Sequence, residues 1–126
     1  MKKIINTDQA PAAIGTYSQA VVHGDVLYTS GQIPIDPDSG DLLPPVFTDQ
    51  AHQVFKNLAA VAQAADTKLG HALKLNVYLQ DLNDFAALNE VMSEYLSEPF
   101  PARAAIQVAR LPKDSLIEID AIIAIP

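Results

Sequence analysis

The sequence predicts an α+β fold in which two helices pack on one face of a single β-sheet. Segments with strand periodicity and segments with helical periodicity follow one another along 126 residues, in the order β-hairpin, α, β, α, β, β. No repeat, low-complexity stretch or internal linker interrupts them. A chain of this length fits one domain, so residues 1–126 are predicted to form a single domain.

The first predicted element is a β-hairpin. Residues 21–23 and 26–30 are both β-prone, and they flank a two-residue turn, Gly24-Asp25. Residues 34–45 contain four prolines and a glycine, and they are predicted to form a loop.

Two stretches have the spacing of amphipathic helices. The first is expected to begin near Thr48, a residue type that suits the N-cap. Its apolar face consists of Ala51, Val54, Phe55, Leu58, Val61, Ala62 and Ala65. The second covers residues 83–96, and Pro99 and Pro101 prevent its continuation. Its apolar face consists of Phe85, Leu88, Met92, Tyr95 and Leu96.

Three further strands are predicted after the first helix. Residues 73–79 alternate between apolar and polar side chains, residues 103–110 follow the second helix, and residues 116–124 follow a turn at 111–114. The last strand is apolar on both sides, which favours a place in the middle of the sheet. Helices on one face leave the other face bare, so we expect other subunits to cover it.

Composition argues against several classes of function. The net charge of −7 and eight scattered Lys and Arg residues argue against binding to nucleic acid. No apolar run of about 18 residues is present, and we expect neither a membrane span nor a signal peptide. The absence of cysteine excludes disulfides and cysteine nucleophiles and suits a reducing, cytoplasmic location.

Common catalytic signatures are also absent. The sequence has no phosphate-binding glycine loop, no H-E-x-x-H and no G-x-S-x-G. Its three histidines, His23, His52 and His71, lie far apart without ligand spacing, so no metal site is predicted.

Arg103 and Glu118 are the strongest candidates for chemistry. Arg103 opens a strand among small residues, where a guanidinium suits bidentate binding of a carboxylate; a surface salt bridge is the alternative. Glu118 interrupts an apolar strand, where burial raises a carboxyl pKa and assists acid–base catalysis; the alternative is that it faces solvent beside Asp120. For Arg110, next to a turn, we favour a structural role.

Weaker signals come from three other places. Tyr17 lies near the hairpin, where a tyrosine usually packs. Gly31, after Ser30, either permits a turn conformation or lets a ligand approach the backbone amides. Asn89 lies in the middle of a predicted helix, where asparagine is mildly unfavourable, and this indicates a specific hydrogen bond.

Four groups of motifs resemble those of the RidA (YjgF) family of enamine/imine deaminases. They are APAAIGTYSQA at residues 10–20, SGQIP at 30–34, DLNDF at 81–85 with Asn89 beyond, and FPAR at 100–103 with VARLPKD at 108–114 and IEI at 117–119. The match covers nearly the whole chain in order. The resemblance implies a chorismate-mutase-like α+β fold and a homotrimer with ligand clefts between subunits.

The resemblance also implies an activity, namely cofactor-free hydrolysis of 2-imino and enamino acids such as 2-iminopropanoate and 2-iminobutanoate to 2-keto acids and ammonia. Arg103 falls on the family's carboxylate-binding arginine and Glu118 on its water-orienting glutamate. Tyr17, Ser30, Gly31 and Asn89 fall on pocket-lining positions. At Ala105, only the backbone N–H is expected to meet the substrate.

The chain departs from the family pattern at three places. Thr16 replaces the usual proline, Ala105 replaces a common cysteine, and residues 42–47 are unusual and are expected to shape the cleft entrance. Two other functions remain open at this point. One is a non-catalytic trimer that binds small carboxylic acids, and the other is a ribonuclease or translation inhibitor, which the acidic charge disfavours.

Overall fold

A computed structural model describes all residues, 1–126, as one six-stranded mixed sheet with two helices on one face. The helices are α1 (Phe47–Ala64) and α2 (Phe85–Ser93). The strands are β1 (Lys3–Ile5), β2 (Ala20–His23), β3 (Val26–Thr29), β4 (Ala72–Leu79), β5 (Ala102–Gln107) and β6 (Ile117–Ala124). Their order in the sheet is β1-β2-β3-β6-β4-β5.

The predicted hairpin is confirmed as β2 and β3, which pair in antiparallel register through His23 and Val26. Gly24 in the turn has φ 60°, a conformation that glycine adopts without a steric penalty. Strand β1, whose three residues extend the sheet beyond β2, was not predicted. A run this short gives too few alternations to be recognised.

The last strand, β6, is central, as its composition predicts. It lies between β3 and β4 and is antiparallel to both, whereas β5 pairs in parallel with β4 at the edge. Alternate residues of β6 face the helices and are buried, namely Ile117, Ile119, Ala121 and Ile123. The residues between them, Glu118, Asp120, Ile122 and Ala124, point to the opposite face and are half-buried.

Both predicted helices pack through the faces expected of them. All seven apolar residues named for α1 are buried, and Leu88, Met92 and Leu96 of the second face are buried as well. The predicted N-cap is wrong, because α1 begins at Phe47 after Val46, which makes no side-chain capping hydrogen bond. The first turn of α1 is instead tied to the preceding loop by the Gln50 side chain, whose Nε2 donates to the Leu43 carbonyl at 3.0 Å.

The second helix is shorter than predicted. A 3₁₀ turn at Leu82–Asp84 precedes it, and Asp81 accepts the Asn83 N–H at 2.8 Å as the N-cap of that turn. At the other end the Ser93 hydroxyl donates to the Glu90 carbonyl at 2.6 Å, and such a local bond competes with continuation of the helix.

The strand predicted to end at residue 110 ends at Gln107, and a 3₁₀ turn (Pro112–Asp114) leads into β6. Arg110 binds Asp114 across this turn, with Nε to Oδ1 at 2.7 Å. This contact agrees with the structural role favoured for Arg110.

The face of the sheet opposite the helices has no covering element in the chain; we call it the bare face. It exposes large apolar side chains, with Ile4 at 52%, Tyr28 at 44% and Ile106 at 50% of full exposure. Exposed apolar surface of this kind is typical of an interface. Neither helix combines the length and apolar character needed to cross a membrane.

Candidate active site

The Arg103 guanidinium lies between β5 and α2 and is held by uncharged groups. Its Nη1 donates to Asn89 Oδ1 at 2.6 Å and approaches Met92 Sδ at 3.5 Å. Its Cζ lies 4.9 Å from the centre of the Phe85 ring, within range of a cation–π interaction. These contacts orient the fork of N–H donors while leaving its positive charge uncompensated.

No carboxylate of the chain forms an ion pair with Arg103, in contrast to Arg110. The salt-bridge interpretation of Arg103 is therefore wrong within the chain. The hydrogen bond to Arg103 also accounts for Asn89 in the middle of a helix, and it confirms the specific bond that the sequence indicates.

A cavity of about 480 Å³ opens beside this guanidinium. Its walls combine polar and apolar side chains, which are those of Asn89, Met92, Ser93, Leu96, Phe100, Pro101 and Arg103. A cationic group at the edge of a partly apolar cavity suits an organic acid whose remaining part is apolar.

The backbone edge beside Arg103 offers further donors. Val108 N–H donates to the Leu79 carbonyl on the β4 side at 2.9 Å. N–H groups point to alternate sides along a strand, so that of Ala105, three residues earlier, points away from β4 to the open edge. The Ala105 side chain packs against the core, so only its backbone faces this edge.

Glu118 lies on the bare face of β6, half-buried and directly across from Tyr78 of β4. Burial raises the pKa of its carboxyl above the usual range, and the nearby charge of Asp120 raises it further. A carboxylate with a raised pKa is a stronger base.

Gly31 allows the chain after β3 to approach Glu118. A Cβ at this position would lie 2.5 Å from Glu118 Oε2, and the backbone of Gly31 does not have positive φ. Close approach, and not a turn conformation, therefore explains this glycine. Paired bonds between Gln32 and Ile119, with N to O distances of 2.8 and 3.1 Å, fix the approach.

Tyr17 and Ser30 line a second cavity of about 520 Å³ near β2 and β3. Tyr17 is 52% exposed, and its hydroxyl accepts the Ile14 N–H at 3.3 Å. The packing interpretation of Tyr17 is therefore wrong within the chain. Ser30 donates its hydroxyl to the Ser18 carbonyl at 2.6 Å, so only its lone pairs are free for another molecule. Thr16 also lines this cavity.

The structure thus gathers the predicted residues into three groups: Arg103 with Asn89 and Ala105, Glu118 with Gly31, and Tyr17 with Ser30. Arg103 pairs with Leu75, and Leu75 pairs with Ala121, so Arg103 lies two strands and three residues from Glu118. The separation across the two strands and the separation along the strand are each about 10 Å, and the two side chains point to opposite faces of the sheet. The chain has no cluster of three or more residues able to hold a metal ion.

Several residues around these groups were not among the predicted site residues. Phe85, Met92 and Leu96 were assigned only to a helix face, and Phe100 was noted only in a motif. Asn76 and Tyr78 were predicted only as part of the polar face of β4. In the structure both donate hydrogen bonds to Asp120.

Comparison with known proteins places this arrangement in a family. A sequence model described as endoribonuclease L-PSP matches residues 7–125. The chain belongs to the RidA/YjgF family. It is 51% identical over 122 residues to a RutC family protein of Pyrococcus horikoshii, with 97% of each chain covered. It is 48% identical to the rat 2-iminobutanoate/2-iminopropanoate deaminase, covering 97% of this chain and 89% of that one.

Solved RidA-family structures have the same fold. RidA from an Antarctic Psychrobacter species superposes with a TM-score of 0.94 at 53% identity, covering 98% of this chain and 99% of that chain. Escherichia coli TdcF with bound serine superposes with a TM-score of 0.91 at 43% identity, covering 97% and 98%. The α+β class, with one mixed sheet and two helices, is confirmed.

Proposed function

We propose that this protein hydrolyses reactive 2-imino acids and their enamine tautomers to 2-keto acids and ammonia. The observation that carries the proposal is the uncompensated Arg103 guanidinium, oriented by Asn89 at the mouth of a cavity. Such a fork binds a carboxylate through two parallel hydrogen bonds, and every 2-imino acid has a carboxylate next to its C=N carbon. The rat deaminase supports the reaction type, and serine-bound TdcF supports a small ligand with a carboxylate.

The reaction needs one base and one clamp. Arg103, with the Ala105 N–H, holds the carboxylate and so fixes the imine carbon. Glu118 takes a proton from a water molecule as the water oxygen bonds to the imine carbon, and the C=N electron pair moves to nitrogen. The proton held by Glu118 passes to nitrogen, which gives the neutral carbinolamine. Its hydroxyl proton then moves to nitrogen, the C–N bond breaks with release of ammonia, and the C=O bond of the 2-keto acid forms. General-base assistance of this kind contributes about 10²–10⁴ in rate.

We further propose that each site combines residues of two chains in a homotrimer. Within one chain Arg103 and Glu118 occupy opposite faces of the sheet, and one small acid cannot contact both. The exposed apolar side chains of the bare face support a neighbour there. An interface would bring Glu118 and Gly31 of one chain to Arg103 and Asn89 of the next.

A coupled assay tests this function. A serine dehydratase generates 2-aminoacrylate, and release of pyruvate and ammonia is followed with this protein added at a small fraction of the substrate concentration. We expect acceleration above spontaneous hydrolysis over many turnovers. A protein that only binds carboxylic acids would protect at most one equivalent, and that result would reject the enzyme.

Ribonuclease activity is a second candidate because the family description carries that name. The net charge of −7 opposes binding to a polyphosphate chain. RNA cleavage that persists through purification and disappears in Arg103→Ala would favour this candidate over imine hydrolysis.

A further inference from the structure

We propose that Asp120 is a positioning residue for Glu118: it engages the Tyr78 hydroxyl and the Asn76 amide, and so keeps the Glu118 carboxylate free to accept a hydrogen bond from water. The inference rests on the proposed function, in which Glu118 is the base. Asp120 itself touches neither the substrate nor the reacting atoms.

The cross-strand register makes the arrangement specific. Asn76 lies directly across from Asp120, and its Nδ2 donates to Asp120 Oδ1 at 2.8 Å. Tyr78 lies directly across from Glu118, yet its hydroxyl donates diagonally to Asp120 Oδ2 at 3.1 Å. The donor nearest to Glu118 in register is thus directed to the neighbouring carboxylate.

Glu118 accordingly receives no hydrogen bond from any group of the chain. A hydroxyl that donated to its carboxylate would stabilise the ionised form and weaken the base. Asp120 prevents this, and its own negative charge also raises the pKa of Glu118. Both effects of Asp120 act in the same direction, towards a stronger base with free lone pairs.

Other charged groups lie farther from Glu118. Lys74 of β4 and Tyr28 of β3 both pair with Ile122. Ile122 lies four residues, or about 13 Å, from Glu118 along β6. The segment after β3 contributes only the uncharged residues Ser30, Gly31 and Gln32. Asp120 is therefore the charge that sets the environment of Glu118 within the chain.

The test is an NMR titration of the Glu118 carboxyl carbon in the intact protein, assigned with Glu118→Gln. In Asp120→Asn we expect the pKa of Glu118 to fall. In Tyr78→Phe we expect it to rise, because Asp120 loses a donor that partly neutralises its charge. Asp25→Asn is the matched control: it removes the same charge about 20 Å away along the sheet and should leave Glu118 unchanged.

The pH profile of kcat provides the second readout. Its acid limb should move with the pKa of Glu118 in each variant. In Asp120→Asn the plateau should fall about two- to tenfold because the base is weaker, with KM unchanged. A solely structural residue would not move the acid limb.

Identical titration of Glu118 in wild type and Asp120→Asn would overturn the inference. If Asp120→Asn does not fold, Tyr78→Phe decides alone, and an unchanged or lowered pKa rejects the role of Asp120. The pKa of Glu118 could shift as expected in both variants while the wild-type protein does not hydrolyse imines. That result would reject the proposed function and retain the coupling of the two carboxylates.

Discussion

The two arginines of this chain differ in what their charges meet. Arg110 is paired with Asp114 through two bonds, at 2.7 and 3.2 Å, so its charge is already satisfied on the surface. Arg103 meets only an amide oxygen, a thioether and a ring. The same residue type thus stabilises a turn in one place and keeps its charge without an acidic partner in the other.

Replacing Arg103 tests that difference. We expect Arg103→Ala to lower kcat/KM for imine hydrolysis at least about 100-fold, because each hydrogen bond to a charged group contributes about 1.5–3 kcal/mol and two are lost. Arg103→Lys should recover only part, since it lacks the planar fork. Arg110→Ala is the matched control and should stay near wild type. Activity of Arg103→Ala within about twofold of wild type would exclude the carboxylate clamp.

Gly31 offers a test of the space around Glu118. We expect Gly31→Ala to lower kcat by about tenfold or more, because the new Cβ must displace the carboxylate that lies 2.5 Å away. Gly70→Ala is the control, since a Cβ there meets nothing within 4 Å. Thermal unfolding of both variants separates loss of the base from loss of the fold. Unchanged kcat in Gly31→Ala would show that the position of Glu118 is not critical.

Ala105 should tolerate the cysteine that is common in the family. Its proposed contribution is the backbone N–H, and cysteine is close to alanine in volume. We therefore expect kcat/KM of Ala105→Cys to stay within about tenfold of wild type, or about 1.4 kcal/mol. A larger change in steady-state assays would mean that the side chain contributes.

At the scale of elements, the periodicity of apolar residues predicted the buried face of α1 and the central place of β6. The residues that recur at helical spacing in α1 are buried without exception, and the apolar residues on both sides of β6 correctly indicated its central place. Element ends were less predictable, because they depend on local polar bonds. The Ser93 hydroxyl on the Glu90 carbonyl is one such bond, and nothing in its residue type requires it.

Candidate residues were predictable one at a time, and their grouping was not. Asn89 stood out because a helix disfavours it, but its partner, Arg103, depends on how α2 packs beside β5. The bonds from Asn76 and Tyr78 to Asp120 depend on the register of β4 against β6, which the periodicity of each strand does not reveal. The family resemblance supplied roles for single positions and said nothing of these contacts.

The cavity beside α2 yields a prediction about substrate side chains. Ser93 is exposed and lines it, so Ser93→Phe should fill it without disturbing the core. We expect kcat/KM for the imine of leucine to fall about tenfold, and that for 2-iminopropanoate to change by less than about twofold, since each buried methylene contributes about 0.8 kcal/mol. Glu90→Phe, also exposed on α2 but outside the cavity lining, is the control. Equal losses for both imines would place the substrate side chain elsewhere.

At the scale of the whole molecule, the sheet separates the clamp from the base. Arg103 lies at the helix-covered side of the edge strand, and Glu118 lies on the bare face of the central strand. In a closed cyclic assembly one interface repeats, and each interface joins two different surface patches of the chain. The proposed shared site requires that one of these patches contain Glu118 on the bare face and the other contain Arg103.

Subunit mixing tests this arrangement directly. Arg103→Ala and Glu118→Ala proteins should each be inactive. When they are unfolded, mixed in equal amounts and refolded together, each interface receives a wild-type arginine with probability one half and a wild-type glutamate with the same probability. About a quarter of the sites in a cyclic trimer should then be intact. Recovery near that fraction requires the two residues to act across chains, because no chain in the mixture carries both. If native mass spectrometry confirms mixed trimers and activity stays absent, Arg103 and Glu118 act within one chain and the shared site is wrong.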